Sequence, residues 1–355
     1  MKPRVIAFYL PQFYPTPEND EWWEPGFTEW TNVTRTRPIY RGHYQPRLPR
    51  DLGFYDLRVS DTREKQAELA RYAGIEGFCY WHYWFAGRRM LDIPFREVVE
   101  SGKPDFPFCL CWANHSWYAK TWNANTPDTL LIEQTYPGEQ DFINHFYAML
   151  PAFKDKRYMK ANGKLIFGIF SPQDFHNYRE FSEIWNRLAD ENGLPGFFFF
   201  GYVPSTLIAK QIEKMNLDAI VLSTVREGYV HEDSFRGRMY RTLLEKMEKP
   251  YAVEYGKYVS KSICLFKENM DCVPCIAPDF DHSPRSGKRA IMFRNSTPEK
   301  WQELCSETKK IVMNSHHKEK LIFIKAWNEW GEGNYMEPDQ KFGTGYIEAS
   351  RAVFL

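Results

Sequence analysis

Eight short apolar runs recur along the chain, most of them opened by Gly, Pro, Lys or Asp and closed by polar and aromatic residues. They are Val5–Leu10, Gly77–Trp81, Phe108–Trp112, Leu165–Phe170, Phe197–Val203, Ala219–Ser223, Val273–Pro278 and Ile322–Trp327. Near-continuous runs of this kind suit strands buried on both faces. Patterns with helical spacing lie between several of them, at Thr62–Tyr72, Glu139–Phe153, Phe181–Glu191, Thr206–Met215 and Pro298–Met313. Asp61, Asp141 and Ser296 or Thr297 are the expected helix starts. Strands alternating with helices imply parallel βαβ units, and eight of them predict an α/β fold closed as a (β/α)8 barrel. An open doubly wound sheet is the alternative, but it usually carries a Gly-rich phosphate turn after the first strand, and Leu10-Pro11-Gln12-Phe13 is not one. No linker, charge block or repeat divides the 355 residues, so the sequence predicts one domain spanning 1–355.

In such barrels the chemistry sits at the C-terminal ends of the strands. The residues just past each run are therefore the candidate ligands of a site. They include Tyr9 and Gln12; Trp81, His82 and Trp84; Trp112, Asn114, His115 and Trp117; Tyr202; Asp281; and, after the last run, Asn328, Glu329, Trp330, Glu332 and Glu337. Aromatic rings around a few acids and amides are what a carbohydrate cleft requires, since the C–H faces of a sugar pack on rings. Aromatics make up 17% of the chain, an excess that either such a cleft or a ring-filled core would absorb. The stretch Glu18–Trp30, "ENDEWWEPGFTEW", reads as a lid or cleft wall after the first strand, or as an aromatic clamp on the barrel mouth.

Glycosidic chemistry needs a proton for a poor leaving oxygen and a second carboxylate to act as base or nucleophile. Glu329 and Glu332, in "KAWNEWGEGNYMEPD", can supply both. A spacing of three puts them on one side of a helical turn, Gly331 and Gly333 allow them to be aimed, and neighbouring Trp rings would raise one pKa. Asp279-Phe280-Asp281 has the DxD form that holds a metal and a nucleotide diphosphate in many glycosyltransferases, with Arg285 and Lys288 nearby; the competing reading has Asp281 bonding sugar hydroxyls. His82 and His115 belong to no HxH or HExxH pattern, and Cys272-x-x-Cys275 lacks a second pair, so neither a metal nor another cofactor is expected.

Lys+Arg and Asp+Glu both number 46, which removes the basic field that nucleic acid or an anionic membrane would require. The opening MKPRVIAFYLPQF is cut by Pro11 after about six apolar residues, short of a signal or spanning segment. With seven Cys read as free thiols, these features give the expectation of a cytoplasmic protein with no stable membrane insertion.

The segments "AFYLPQFYPTPENDEWW", "GFTEWTNV", "GHYQPRLPRDLGFYDLR", "GFCYWHYWFAGRRML", "GKPDFPFCLCWAN" and "AWNEWGEGNYMEPD" resemble the WbsX-like family, named for glycosyltransferases of bacterial surface-polysaccharide clusters. That family is similar in turn to glycoside hydrolase family 99, (β/α)8 barrels of endo-acting mannosidases. There the first Glu of an E-W-x-E sequence deprotonates the sugar 2-hydroxyl to form an anhydro sugar, and the second protonates the leaving oxygen. The resemblance implies Glu329 as base, Glu332 as acid/base, net retention and an oligosaccharide or polysaccharide substrate such as O-antigen or capsule. The chain departs from the family pattern at Tyr14, at His115, where a Glu follows "WAN", and at His282, where an Asn follows the Asp. Nucleotide-sugar transfer and non-catalytic glycan binding remain as alternatives; the fold alone does not choose.

Overall fold

A computed structural model describes residues 2–119, 128–229 and 249–355, together with residues 239, 242–244 and 246–247. Its centre is a closed barrel of eight parallel strands: β1 (Arg4–Tyr9), β2 (Gly77–Phe85), β3 (Phe108–Trp112), β4 (Lys164–Ile169), β5 (Phe197–Val203), β6 (Ala219–Ser223), β7 (Val273–Ile276) and β8 (Leu321–Ile324). Each strand pairs with the next in sequence, and β8 returns to β1 through Arg4 opposite Leu321 and Ala7 opposite Ile324. All eight apolar runs are strands, as the barrel reading predicts. The last two end earlier than expected, and β2 runs four residues further, to Phe85.

The helices packed around the strands are α1 (Ser60–Tyr72), α2 (Ile93–Ser101), α3 (Glu139–Phe153), α4 (Tyr178–Glu191), α5 (Thr206–Ile212), α6 (Tyr255–Glu268), α7 (Pro298–Asn314) and α8 (Gly345–Phe354). The hydroxyl of Thr297 caps α7 by accepting from the Lys300 N–H, whereas α1 and α3 start at Val59 and Gly138 and hold Asp61 and Asp141 in their first turns. Three helices escape the sequence reading. α2 and α8 are short, and the buried faces of α6 and α8 include Ser262 and Ser350, so packing against the strands and neighbouring helices fixes them more than local pattern does.

Two cores divide the aromatic excess. Inside the barrel, Phe8 stacks on Trp81 at 4.4 Å and on Phe323 at 5.3 Å, while Phe170 stacks on Tyr202 at 5.1 Å. Between the strands and α3 and α4, Phe142, Phe146, Phe153, Phe167, Phe181, Trp185 and Phe197 form a second cluster of edge and tilted ring contacts. Much of the excess therefore fills the core, where each buried ring contributes area and edge-to-face attraction.

Gly168 on β4 shows how tightly the inner rings fit. A Cβ there would lie 2.2 Å from the Phe200 ring and 2.7 Å from Cys111 Sγ. Gly168→Ala is expected to cost about 1–3 kcal/mol by overpacking, read as a lower midpoint of urea unfolding; an unchanged midpoint would mean that the barrel interior is loose.

Candidate active site

Strand alternation decides which predicted residues reach the mouth of the barrel. Along β2, Trp81 and Tyr83 point inward and line a cavity of about 710 Å³, while His82 and Trp84 point out toward α3. His82 Nε2 meets His145 Nε2 at 2.7 Å, and burial lowers its pKa to about 3; Trp84 Nε1 donates to Asp141 at 3.1 Å. Tyr9 likewise faces outward and donates its hydroxyl to Gln66 Oε1 at 2.6 Å. Trp112 is fully buried among Phe175, Phe181 and His145. Asn114 braces the β3 and β4 ends, accepting from the Ser171 N–H at 2.8 Å and donating to its carbonyl at 3.1 Å. Tyr202 lies in the inner ring stack and is absent from the cavity wall. The sequence reading placed these six side chains on sugar; in the structure they hold the scaffold. Of that reading's aromatic and histidine ligands, Trp81, His115 and Trp117 line the cavity.

The turn after β8 carries the acids. Asn328–Glu329 pairs antiparallel with Asn334–Tyr335, and Trp330–Glu332 between them forms a single 3₁₀ turn. Side chains three apart eclipse in such a turn, so Glu329 and Glu332 face the same way. Gly333 closes it at φ +64°, where a Cβ would come 2.9 Å from Asp281 Cβ. Asn328 bonds both the N–H and the carbonyl of Leu10, tying the turn to the end of β1. Trp330 is buried, stacked on Tyr335 at 3.7 Å, and donates to Glu337 Oε2 at 2.6 Å. Glu337 also accepts from Tyr55 and Gln66, and burial raises it to about 7. Asn328, Trp330 and Glu337 thus support the turn from behind and are not on the cavity wall.

Asp281 is also off the cavity wall. His43 Nε2 lies 2.9 Å and Gln45 Nε2 2.7 Å from its Oδ2, and Ser283 N–H reaches its Oδ1 at 2.9 Å. Arg47 lies 2.8 Å from Asp279 and 3.6 Å from Asp281. The DxD carboxylates are therefore engaged by the Arg47 guanidinium, the His43 ring and the Gln45 amide. Among the described residues, no group of three or more His, Cys, Asp or Glu side chains is arranged to hold a metal.

Two cations bridge the Glu pair. Lys325, just past β8, puts Nζ 2.7 Å from Glu332 and 3.5 Å from Glu329. Arg285 puts Nη1 2.6 Å from Glu332 and 3.8 Å from Glu329, and its Nη2 lies 3.2 Å from a third carboxylate, Glu29. Burial and the adjacent Glu332 charge push Glu329 up to about 7. Burial also acts to raise Glu332, but Lys325 and Arg285 outweigh it and hold that carboxyl well below the usual range. The free site thus pairs an ionised Glu332 with a Glu329 that keeps its proton to near neutrality, the split that acid–base catalysis requires. Its order is the reverse of the one the resemblance implies.

Sequence reasoning missed Lys325 and Glu29 as site residues and assigned Arg285 to phosphates. Lys325 was within reach, since it stands two residues past the inward Phe323. Tyr83 follows from Trp81 by the same period. The Glu18–Trp30 stretch does form a cavity wall, contributing Asn19, Trp22, Trp23, Phe27 and Glu29.

The model of the family described as Glycosyltransferase WbsX matches residues 5–350. The chain belongs to the WbsX glycosyltransferase family. It is therefore a member of a family of carbohydrate-active enzymes. Proteins named WxcX, described as uncharacterised, from two strains of Xanthomonas campestris pv. campestris are 33% identical to this WbsX-family chain over 362 residues. That alignment covers 98% of the chain and 49% of each relative, so the chain spans about half the length of the curated relatives it matches. Among solved structures, a glycoside hydrolase-like protein superposes with a TM-score of 0.62 at 13% identity, covering 99% of this chain and 94% of that one. The glycoside hydrolase family 99 endo-α-mannosidase from Bacteroides thetaiotaomicron superposes with a TM-score of 0.55, also at 13% identity, covering 99% and 96%. These two likenesses establish the shared barrel fold. Among the described residues, no helix is long and apolar enough to cross a membrane.

Proposed function

We propose that the chain acts on glycosidic linkages of a bacterial surface polysaccharide in the cytoplasm, using Glu329 and Glu332 as an acid–base pair without a nucleotide or metal cofactor. The observation that carries this reading is the pair itself: two carboxyl groups on one turn, at the wall of an aromatic cavity, of which one keeps a proton near neutrality and one does not. Trp81, Tyr83 and Trp117 offer faces for sugar rings, and His115 offers a polar edge. In the bound complex Glu329 takes the proton of the sugar 2-hydroxyl and O2 attacks C1. The C1–O bond to the leaving chain breaks, and Glu332 gives that oxygen its proton. Water then adds at C1, the C1–O2 bond of the anhydro ring opens, Glu332 takes the water's proton and Glu329 returns one to O2. Configuration at C1 is retained, and an acceptor hydroxyl in place of water makes the same steps a transfer. Because the free site holds its proton on Glu329, this order requires the proton to pass to Glu332 once sugar is bound. Loss of a Lys325 or Arg285 contact to Glu332 on binding would drive that shift.

Nucleotide-sugar transfer through Asp279 and Asp281 is the second reading, and the ion pairs and hydrogen bonds those residues make with Arg47, His43 and Gln45 count against it. The test is turnover of an oligosaccharide and aryl-glycoside panel by mass spectrometry, with nucleotide sugars in a parallel arm. Sugar release or exchange without a nucleotide donor, indifferent to EDTA and lost in Glu332→Gln, is the expected result. Acceptor extension that occurs only with a nucleotide sugar overturns the reading.

A further inference from the structure

Glu29 lies outside the turn that carries the acid pair, yet the turn is shaped to receive it. It opens the short helix Glu29–Arg35, which follows β1 in the chain and packs on the 3₁₀ turn through Trp30 against Trp330, and is only 3% exposed. A Cβ on Gly331 would fall 1.9 Å from Glu29 Oε2, so the residue between Trp330 and Glu332 leaves room for this carboxylate and for little else. Arg285 lies between the three acids, 3.2 Å from Glu29, 2.6 Å from Glu332 and 3.8 Å from Glu329. A capping box fixes the approach: Thr28 Oγ1 accepts from the Trp30 N–H and Thr31 Oγ1 from the Thr28 N–H. Trp30 beside it is locked by Nε1 donating to the Tyr55 carbonyl at 2.8 Å.

We propose that Glu29 is a positioning residue of the active site, a third carboxylate seated on Gly331 that shares Arg285 with Glu332 and thereby keeps one proton on the Glu329–Glu332 pair. The inference deepens the acid–base reading and rests on it. Charge balance explains it. Two cations, Lys325 and Arg285, face three carboxyl groups, so the buried cluster is neutral only when one proton is retained. With Glu29 uncharged, two carboxylates would balance two cations and the pair could give up its proton at lower pH. Other groups around Glu329 act in both directions: His282 lies beside Glu332, and Tyr83 and Tyr202 reach toward Glu329 from β2 and β5. The negative field of Glu29 is among the influences that raise Glu329.

The experiment is a pH titration of the free protein by difference infrared spectroscopy, following the protonated carboxyl band, with Glu329→Gln to assign it. Wild type should lose the assigned band near pH 7. In Glu29→Gln the same loss should move acidward by about one pH unit or more, the size expected for removing a charge a few ångströms away, and Glu29→Asp should lie between the two. Gly331→Ala, which fills the seat while keeping Glu29, should shift the band in the same direction. A titration that stays in place in Glu29→Gln, with circular dichroism showing a folded protein, overturns the proposal. So does a fall in turnover at every pH with no movement of the titration. Because the band is read without substrate, it reports on Glu29 even if the panel above shows that the pair serves a different reaction.

Discussion

Glu329→Gln and Glu332→Gln are each expected to reduce glycan turnover by about 10²–10⁴-fold, the range that a positioned proton-transfer group supplies, with binding of the same glycan largely kept. The amide preserves the shape of the turn, so the Trp330 and Gly333 contacts that hold it survive. The two variants should then separate on the leaving group. An aryl glycoside that departs without a proton should give Glu332→Gln a measurable burst of aryl alcohol, because the donor is no longer needed. Glu329→Gln should show none, since the 2-hydroxyl still has to lose its proton. The opposite pattern would put the donor on Glu329, where the proton resides in the free site. Full turnover in either variant would remove the pair from the mechanism.

Lys325→Met is the second large effect, and it reaches both stability and activity. Lys325 is nearly buried, and the adjacent Glu329 and Glu332 outweigh burial and hold its pKa well above the ordinary value, so it stays charged. Methionine keeps much of the volume but leaves three buried carboxyl groups, Glu29, Glu329 and Glu332, with Arg285 as their one remaining cation in the cluster. Removing one partner from a buried ion cluster typically costs about 3–5 kcal/mol. The sign with pH follows from linkage. A carboxyl whose folded pKa lies above its unfolded value binds more protons in the native state, so stability falls as pH rises between the two values. Glu329, at about 7, already does this in wild type. Without Lys325 both Glu329 and Glu332 move up, and the loss of stability should deepen from acidic to neutral pH. Thermal unfolding at pH 4 and pH 8, taken as points on either side of that window, reads it. The acidic limb of turnover should shift to higher pH at the same time. A variant as stable as wild type at both pH values would mean that Lys325 does not neutralise the pair.

The barrel was legible because its eight strands are buried on both faces, which forces apolar runs that stand out from any surrounding pattern. The position of the acids was legible for a related reason: they follow the last run, and barrel chemistry collects at strand ends. The identity of the neighbours was not. His82 and Trp84 lie next to Trp81 and Tyr83 in sequence and on the opposite face of β2, and this was hidden until the strand was known to continue to Phe85. Glu29 reaches the site from a segment some three hundred residues before Glu332, and no local pattern announces a contact across that distance. Asp281 and Glu337 looked like ligands because they are acids near the strand ends; their hydrogen bonds to His43 and Gln45, and to Tyr55, Gln66 and Trp330, come from packing that sequence spacing does not encode. The aromatic excess was divided between cavity and core by strand direction, which composition cannot report.

The most direct test of the account is the pH dependence of glycan turnover by the wild-type protein beside the Glu329→Gln, Glu332→Gln double variant on the same substrate. One proton shared by the pair predicts a bell whose alkaline limb falls near pH 7, with no activity above background in the double variant at any pH. Turnover that persists in the double variant, or that runs flat through neutrality in wild type, would contradict it.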